Sequence, residues 1–166
     1  SKNYKVIGLS RGKNYKNNNL SKLGISSEIE HLEGDITDIN IVKSLLDRHS
    51  PDEVYNLAAQ SSVGKSFNQP KETIEGIVSG TINLLESARI LGFSGSMFFA
   101  GSSEIFGLTT KKADIHHPQN PINPYGVAKQ ASLNLVRIYR DSYNLKCVTG
   151  ILFNHESSLR NDDFVT

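Results

Sequence analysis

The chain has 166 residues, 37% hydrophobic and 21% charged, which is the composition and length of one folded domain with a core of its own. Its 18 basic and 17 acidic residues are interspersed and sum to a formal charge of +1, so there is no electrostatic footprint for nucleic acid or a membrane surface, and neither is expected as a partner. One cysteine excludes a disulfide within the chain, no apolar stretch approaches the ~20 residues of a bilayer span, and the opening SKNYKVIGL lacks the apolar run of a secretory signal, so a cytoplasmic enzyme is expected.

In chain order, Tyr4–Leu9 is the first predicted strand, and the polar run Arg11–Ser27, with Asn17, Asn18 and Asn19 together, has no periodicity and reads as a loop. Glu28–Leu32 is the next strand. Asp38–His49 carries Ile39, Val42, Leu45 and Leu46 at helical spacing, with Asp38 or Thr37 placed to cap it. Strand Glu53–Ala58 follows, then helix Pro70–Leu91, which begins at a proline and stops before Gly92. Strand Ser96–Ala100, helix Pro124–Tyr143 and strand Lys146–Phe153 complete the series. Gly76 and Gly80 cost helix propensity and point to close packing against the sheet or a neighbouring helix. Cys147, inside CVTGILF, reads as a small buried residue. His116 and His117 are adjacent and share no face, so no metal site is expected.

Strands and helices alternate from end to end, the pattern of an α/β fold whose parallel strands are buried on both faces by helices. Dinucleotide-binding folds place a Gly-rich strand-to-helix turn at their first strand, and none precedes Tyr4. If Tyr4–Leu9 is the second strand of a 3-2-1-4-5-6 sheet, the first strand and its helix are missing, which leaves unpaired edges on Tyr4–Leu9 and Glu53–Ala58 about 10 Å apart. The expectation is an incomplete, Rossmann-like, doubly wound parallel sheet forming a partial dinucleotide-binding domain over residues 1–166.

Tyr125 and Lys129, four apart on a predicted helix, share a face. An ammonium beside a phenol stabilises the phenolate, so Tyr125 could take a hydroxyl proton while a nicotinamide takes the hydride, with Lys129 also reaching the cofactor ribose. Ser102 and Glu104 follow strand Ser96–Ala100 at its carboxyl end, where open α/β sheets bind ligands; Ser102 can donate to a sugar oxygen and Glu104 can serve as a base for a carbon-bound proton. Equally, Ser102 and Ser103 could be helix caps and Glu104 a solvated charge. Leu57, Ala58, Ala59, Gln60 and Ser61 end a strand in residues small enough for a flat cofactor to approach, or simply form a turn. Asp35 and Ile36 would lie beside an adenine. Arg11 stands where an acid would bind the 2′-hydroxyl of NAD, and suits a 2′-phosphate instead, which favours NADP.

Together, Asn56–Ser61, Ser102–Glu104, Tyr125–Lys129 and the closing run Gly150–Ser157 with Arg160 and Phe164–Thr166 resemble the GDP-mannose 4,6-dehydratases in order and spacing. The resemblance implies that Tyr125 deprotonates the mannose 4-hydroxyl as NADP takes the C4 hydride, that Glu104 removes the C5 proton, and that water leaves C6 before the hydride returns there. It matches Lys129, His155 and Arg160, Asp35 with Ile36, and Leu57 through Ser61 to cofactor contacts, and puts Asn154 near the substrate. Ser102 stands where the family uses threonine. Glu72 and Ile77 depart from the family's tyrosine and Asn or Asp. The resemblance further implies a homo-oligomeric full-length enzyme, of which this chain lacks the GDP-binding part and would be inactive alone. Another nucleotide-sugar epimerase or dehydratase, and a non-catalytic dinucleotide-binding module, are the alternatives; epimerases lack the Glu, and TDP-glucose dehydratases usually carry an Asp-Glu pair there.

Overall fold

The structure is a computed structural model and describes residues 4–12, 19–155 and 157–159. Among these residues the strands are β1 Val6–Ser10, β2 Ile29–Glu33, β3 Glu53–Asn56, β4 Ser96–Ala100 and β5 Cys147–Gly150. The helices are α1 Asn19–Lys22, α2 Ile39–His49, α3 Val63–Asn68, α4 Pro70–Ile74, α5 Gly80–Ile90 and α6 Pro124–Tyr143. A π turn, Glu75–Ser79, runs α4 into α5, and a 3-10 turn, Ser103–Phe106, follows β4. Every ladder is parallel: β1 pairs with β2, and β3, β4 and β5 form a second sheet in that order. The chain divides into two compact units, Ser1–Asp35 with Asn154–Thr166, and Ile36–Phe153.

In the first unit, β1 and β2 pair in register from Val6 opposite Ile29 to Ser10 opposite Glu33. The stretch expected to be loop contains α1, a single turn closed by Leu23 N–H on the Asn19 carbonyl and ended at Gly24 with φ +70°. One turn holds too few residues to show a period, which is why the pattern missed it. Burial on both faces does not hold for β1: Val6 is 46% exposed, because a two-stranded ladder has little with which to cover its faces.

In the second unit the three-stranded sheet has one dry face. Met97 and Phe99 of β4 pack with Val42 and Leu46 of α2, Leu84, Leu85 and Ala88 of α5, and Val136 and Tyr139 of α6. Across the ladder, Tyr55, Phe98 and Val148 are register partners on the opposite face, where Tyr55 is 63% and Val148 53% exposed. Here too the expected burial of both faces is corrected: a short apolar strand reveals that it is sheet, not which side its own helices cover. Asp38 caps α2 through its Oδ1, which accepts from the Asn40 and Ile41 amides. Helix α5 ends before Gly92 at φ +61°, where the sequence ends it, and α6 ends at Asn144 in the left-handed region. Of Gly76 and Gly80, only Gly80 is a packing residue: a Cβ there would stand 2.3 Å from Ile36 Cδ1, whereas one on Gly76 would meet nothing within 4 Å. Cys147 is buried, as its surroundings in the sequence require, with burial raising its thiol pKa.

Candidate active site

Strand β4 delivers its carboxyl end to Gly101 and Ser102, and the 3-10 turn that follows packs against α6. The Ser102 hydroxyl accepts from the Glu104 amide at 3.3 Å and so caps this turn. The capping and the chemical readings of Ser102 are therefore compatible, since an accepting lone pair leaves the O–H able to donate. Tyr125 and Lys129 lie one turn apart on the inner face of α6, 8% and 9% exposed. Lys129 Nζ sits 5.5 Å from the centre of the Tyr125 ring and donates to the Ala100 carbonyl at 2.7 Å.

Burial pushes Lys129 down to about 8, because an ammonium loses its hydration there. Burial also raises Tyr125 above its ordinary value; the hydrogen bond with Ser102 opposes this and the Glu104 carboxylate adds to it. This corrects the expected lowering of the phenol by Lys129. The ammonium lies over the ring and spends its bond on the Ala100 carbonyl, so it does not hold the phenol oxygen. Glu104 is half-buried, and its Oε2 accepts from Asn123 Nδ2 at 2.7 Å. Ser102, Glu104, Tyr125 and Lys129 are thus gathered at one strand end.

The Leu57–Ser61 segment departs from β3 through an Asx turn, with the Ala58 amide donating to Asn56 Oδ1 at 3.2 Å. Leu57 is 68% exposed and Ala58 and Ser61 are also exposed. Ala59 holds φ at +106°, a strained setting for a residue with a Cβ. The Gln60 side chain is occupied within the unit: Oε1 accepts from the Ser62 amide and Nε2 donates to Thr73 Oγ1 at 2.8 Å. A small cavity is lined by Ala58, Ile77, Lys129 and Thr149 among others, and so joins two of the sequence candidates. Ile36 packs on the core and beneath Gly80, and its carbonyl accepts from Asn83. Ile77, one of the two departures from the resemblance, is buried against Tyr125 and Ala128, while the other, Glu72, is exposed.

In the first unit, Arg11 Nη1 lies 4.0 Å from Asp35 Oδ2, and Asn154 and His155 are exposed. Arg160 lies outside the described residues. His117 packs edge-on against Phe106, and no described helix is long and apolar enough to cross a membrane.

A model of the family described as GDP-mannose 4,6 dehydratase matches residues 1–166. The chain belongs to this family. Members similar to it include the GDP-mannose 4,6-dehydratase of Vibrio cholerae, 43% identical over 80% of this chain and 37% of that protein, and GDP-mannose 4,6 dehydratase 1 of Arabidopsis thaliana, 37% identical over 99% of this chain and 49% of that protein. The chain therefore spans about half the length, or less, of the relatives it matches. Among solved structures, the dTDP-glucose 4,6-dehydratase of Streptomyces venezuelae with NAD bound is similar, with a TM-score of 0.76 and 26% identity over 87% of this chain and 45% of that one. The α/β architecture of this dehydratase-family chain is Rossmann-like, of the doubly wound parallel class. The residue that sequence reasoning missed is Asn123. Its signal was present, since an Asn directly before a Pro at a helix start is an N-cap pattern.

Proposed function

We propose that the protein is a nucleotide-sugar dehydratase that converts GDP-mannose to GDP-4-keto-6-deoxymannose with NADP, residues 1–166 contributing part of its NADP-binding domain. The observation that carries the reading is the Glu104 carboxylate held beside the Ser102–Tyr125–Lys129 group, in a chain whose named relatives are GDP-mannose dehydratases. One base at a hydroxyl and a second at the adjacent carbon is what oxidation at C4 followed by loss of water across C5 and C6 requires.

The residues present fit a flat dinucleotide. Leu57 and Ala58 stand exposed at the end of β3, Ala58 and Lys129 share a cavity, and the Oγ1 of Thr149, which lines it, is buried without a partner among the described residues. Arg11, with Asp35 and Ile36, would hold the adenosine end with its 2′-phosphate; Leu57 to Ser61, Lys129, His155 and Arg160 would hold the rest. When bound, NADP supplies a hydride acceptor for C4 and, once reduced, a hydride donor for C6. Tyr125 takes the proton of the 4-hydroxyl. Ser102 donates to the same sugar oxygen. Lys129 places a positive charge over the Tyr125 ring, Glu104 takes the C5 proton made acidic by the new C4 ketone and passes it to the departing C6 hydroxyl, which leaves as water, and Asn154 contacts the sugar.

The test separates the two bases. In the intact protein with GDP-mannose and NADP, Glu104→Gln should retain oxidation at C4 and lose water elimination, whereas Tyr125→Phe should lose both. Normal entry of solvent deuterium at C5 in Glu104→Gln would overturn the assignment.

A further inference from the structure

We propose that Asn123 is a positioning residue that ties the Glu104 carboxylate to the start of the helix carrying Tyr125. The proposal rests on the reading above and adds to it a residue that supports the base. Asn123 is 6% exposed and divides its side-chain amide between two elements. Its Oδ1 accepts from the Gly126 amide at 2.7 Å and caps α6, while its Nδ2 donates to Glu104 Oε2, also at 2.7 Å. A planar amide fixes both bonds in one geometry, so the carboxylate is referenced to the helix end that presents Tyr125 two residues later. The elements meet closely as well, since a Cβ on Gly126 would stand 2.6 Å from the Glu104 carbonyl oxygen. With Oε2 engaged, Oε1 remains to take a proton.

Ser, Asp and Asn are all good helix caps, but of the three only Asn carries, beside its cap acceptor, a donor on a separate arm long enough to bridge to the Glu104 carboxylate. Asn123→Ser keeps a cap acceptor and cannot reach Glu104; Asn123→Asp keeps it and faces Glu104 with a second carboxylate. The experiment uses the intact protein with GDP-mannose and NADP and follows cofactor reduction at C4 and solvent deuterium entry at C5. Asn123→Ser should melt within a few degrees of wild type, keep the C4 step within about threefold, and lose C5 exchange by about 10- to 100-fold, with kcat falling and KM little changed. Asn123→Asp should lose at least as much C5 exchange, and it carries the test alone if the serine variant melts early. C5 exchange within twofold of wild type in either folded variant, while Glu104→Gln abolishes it, would overturn the positioning role and leave the dehydratase reading intact. Absence of C5 exchange in the wild-type protein would overturn both.

Discussion

Lys129 donates to the carbonyl of Ala100 from a buried position over the Tyr125 ring, so the ammonium is satisfied by the backbone of the strand end it serves. The bond fixes where the charge sits, and burial makes that charge costly to hold.

The cost is visible as a pH dependence. Lys129 ordinarily titrates near 10.5 and is pushed down to about 8 in the folded chain, so between these values the unfolded chain binds more protons and stability rises with pH. Lys129→Met removes this titration while leaving Tyr125 in place. The stability difference between variant and wild type should shift in favour of wild type by up to about 2 kcal/mol between pH 8 and 10, read from urea midpoints. A difference that stays constant across that window would show that the buried ammonium is not depressed.

Cofactor choice should depend on Arg11. Its ion pair with Asp35 is long and solvent-exposed, and such a pair is worth no more than about 1 kcal/mol, little to give up for a 2′-phosphate. In the intact protein, calorimetry should find NADP bound more tightly than NAD, and Arg11→Asp should cost NADP about 10- to 100-fold in affinity while sparing NAD. Equal binding of the two cofactors by wild type would remove the arginine from the site.

Gly76 and Gly80 should respond to substitution with opposite signs. Gly80→Ala forces a methyl group into Ile36, whose branched side chain is stiff, and should destabilise by about 1–3 kcal/mol. Gly76→Ala meets nothing and should stabilise by up to about 1 kcal/mol through helix propensity. Urea midpoints that moved in the same direction would refute the packing assignment.

The long elements were legible because their punctuation is local. Pro70 and Gly92 bracket one helical run, Pro124 and Asn144 the other, and Asp38 announces α2. Helices α1 and α3 and the 3-10 turn are too short to carry a period. The strand expected over Lys146–Phe153 is longer than the observed one because the apolar run continues past Gly150, where the ladder ends, although the Leu152 carbonyl still accepts from the Ser103 amide. The Tyr125–Lys129 pair follows from helical spacing alone. The Asn123–Glu104 bond does not, since it joins residues 19 apart across a loop and a helix start, a separation that no periodicity marks. The raised phenol pKa of Tyr125 was hidden for a similar reason: spacing shows that Lys129 is near, but only the fold shows that the phenol is buried and close to the Glu104 carboxylate.

The π turn at Glu75–Ser79 acts as a dislocation in an otherwise regular rod. It is equivalent to one residue too many in an α-helix, and a residue subtends about 100° of helical rotation. Ile77 sits inside the defect, its side chain against Tyr125 and its carbonyl accepting the hydroxyls of Thr81 and Ser132. A single-residue deletion here would heal the rod without breaking it, yet would turn α4 by about 100° relative to α5 and carry the buried Thr73 out of its place. In this stretch of chain, length is therefore under tighter constraint than composition: substitutions at exposed positions are absorbed, whereas a change in residue count is transmitted as torque.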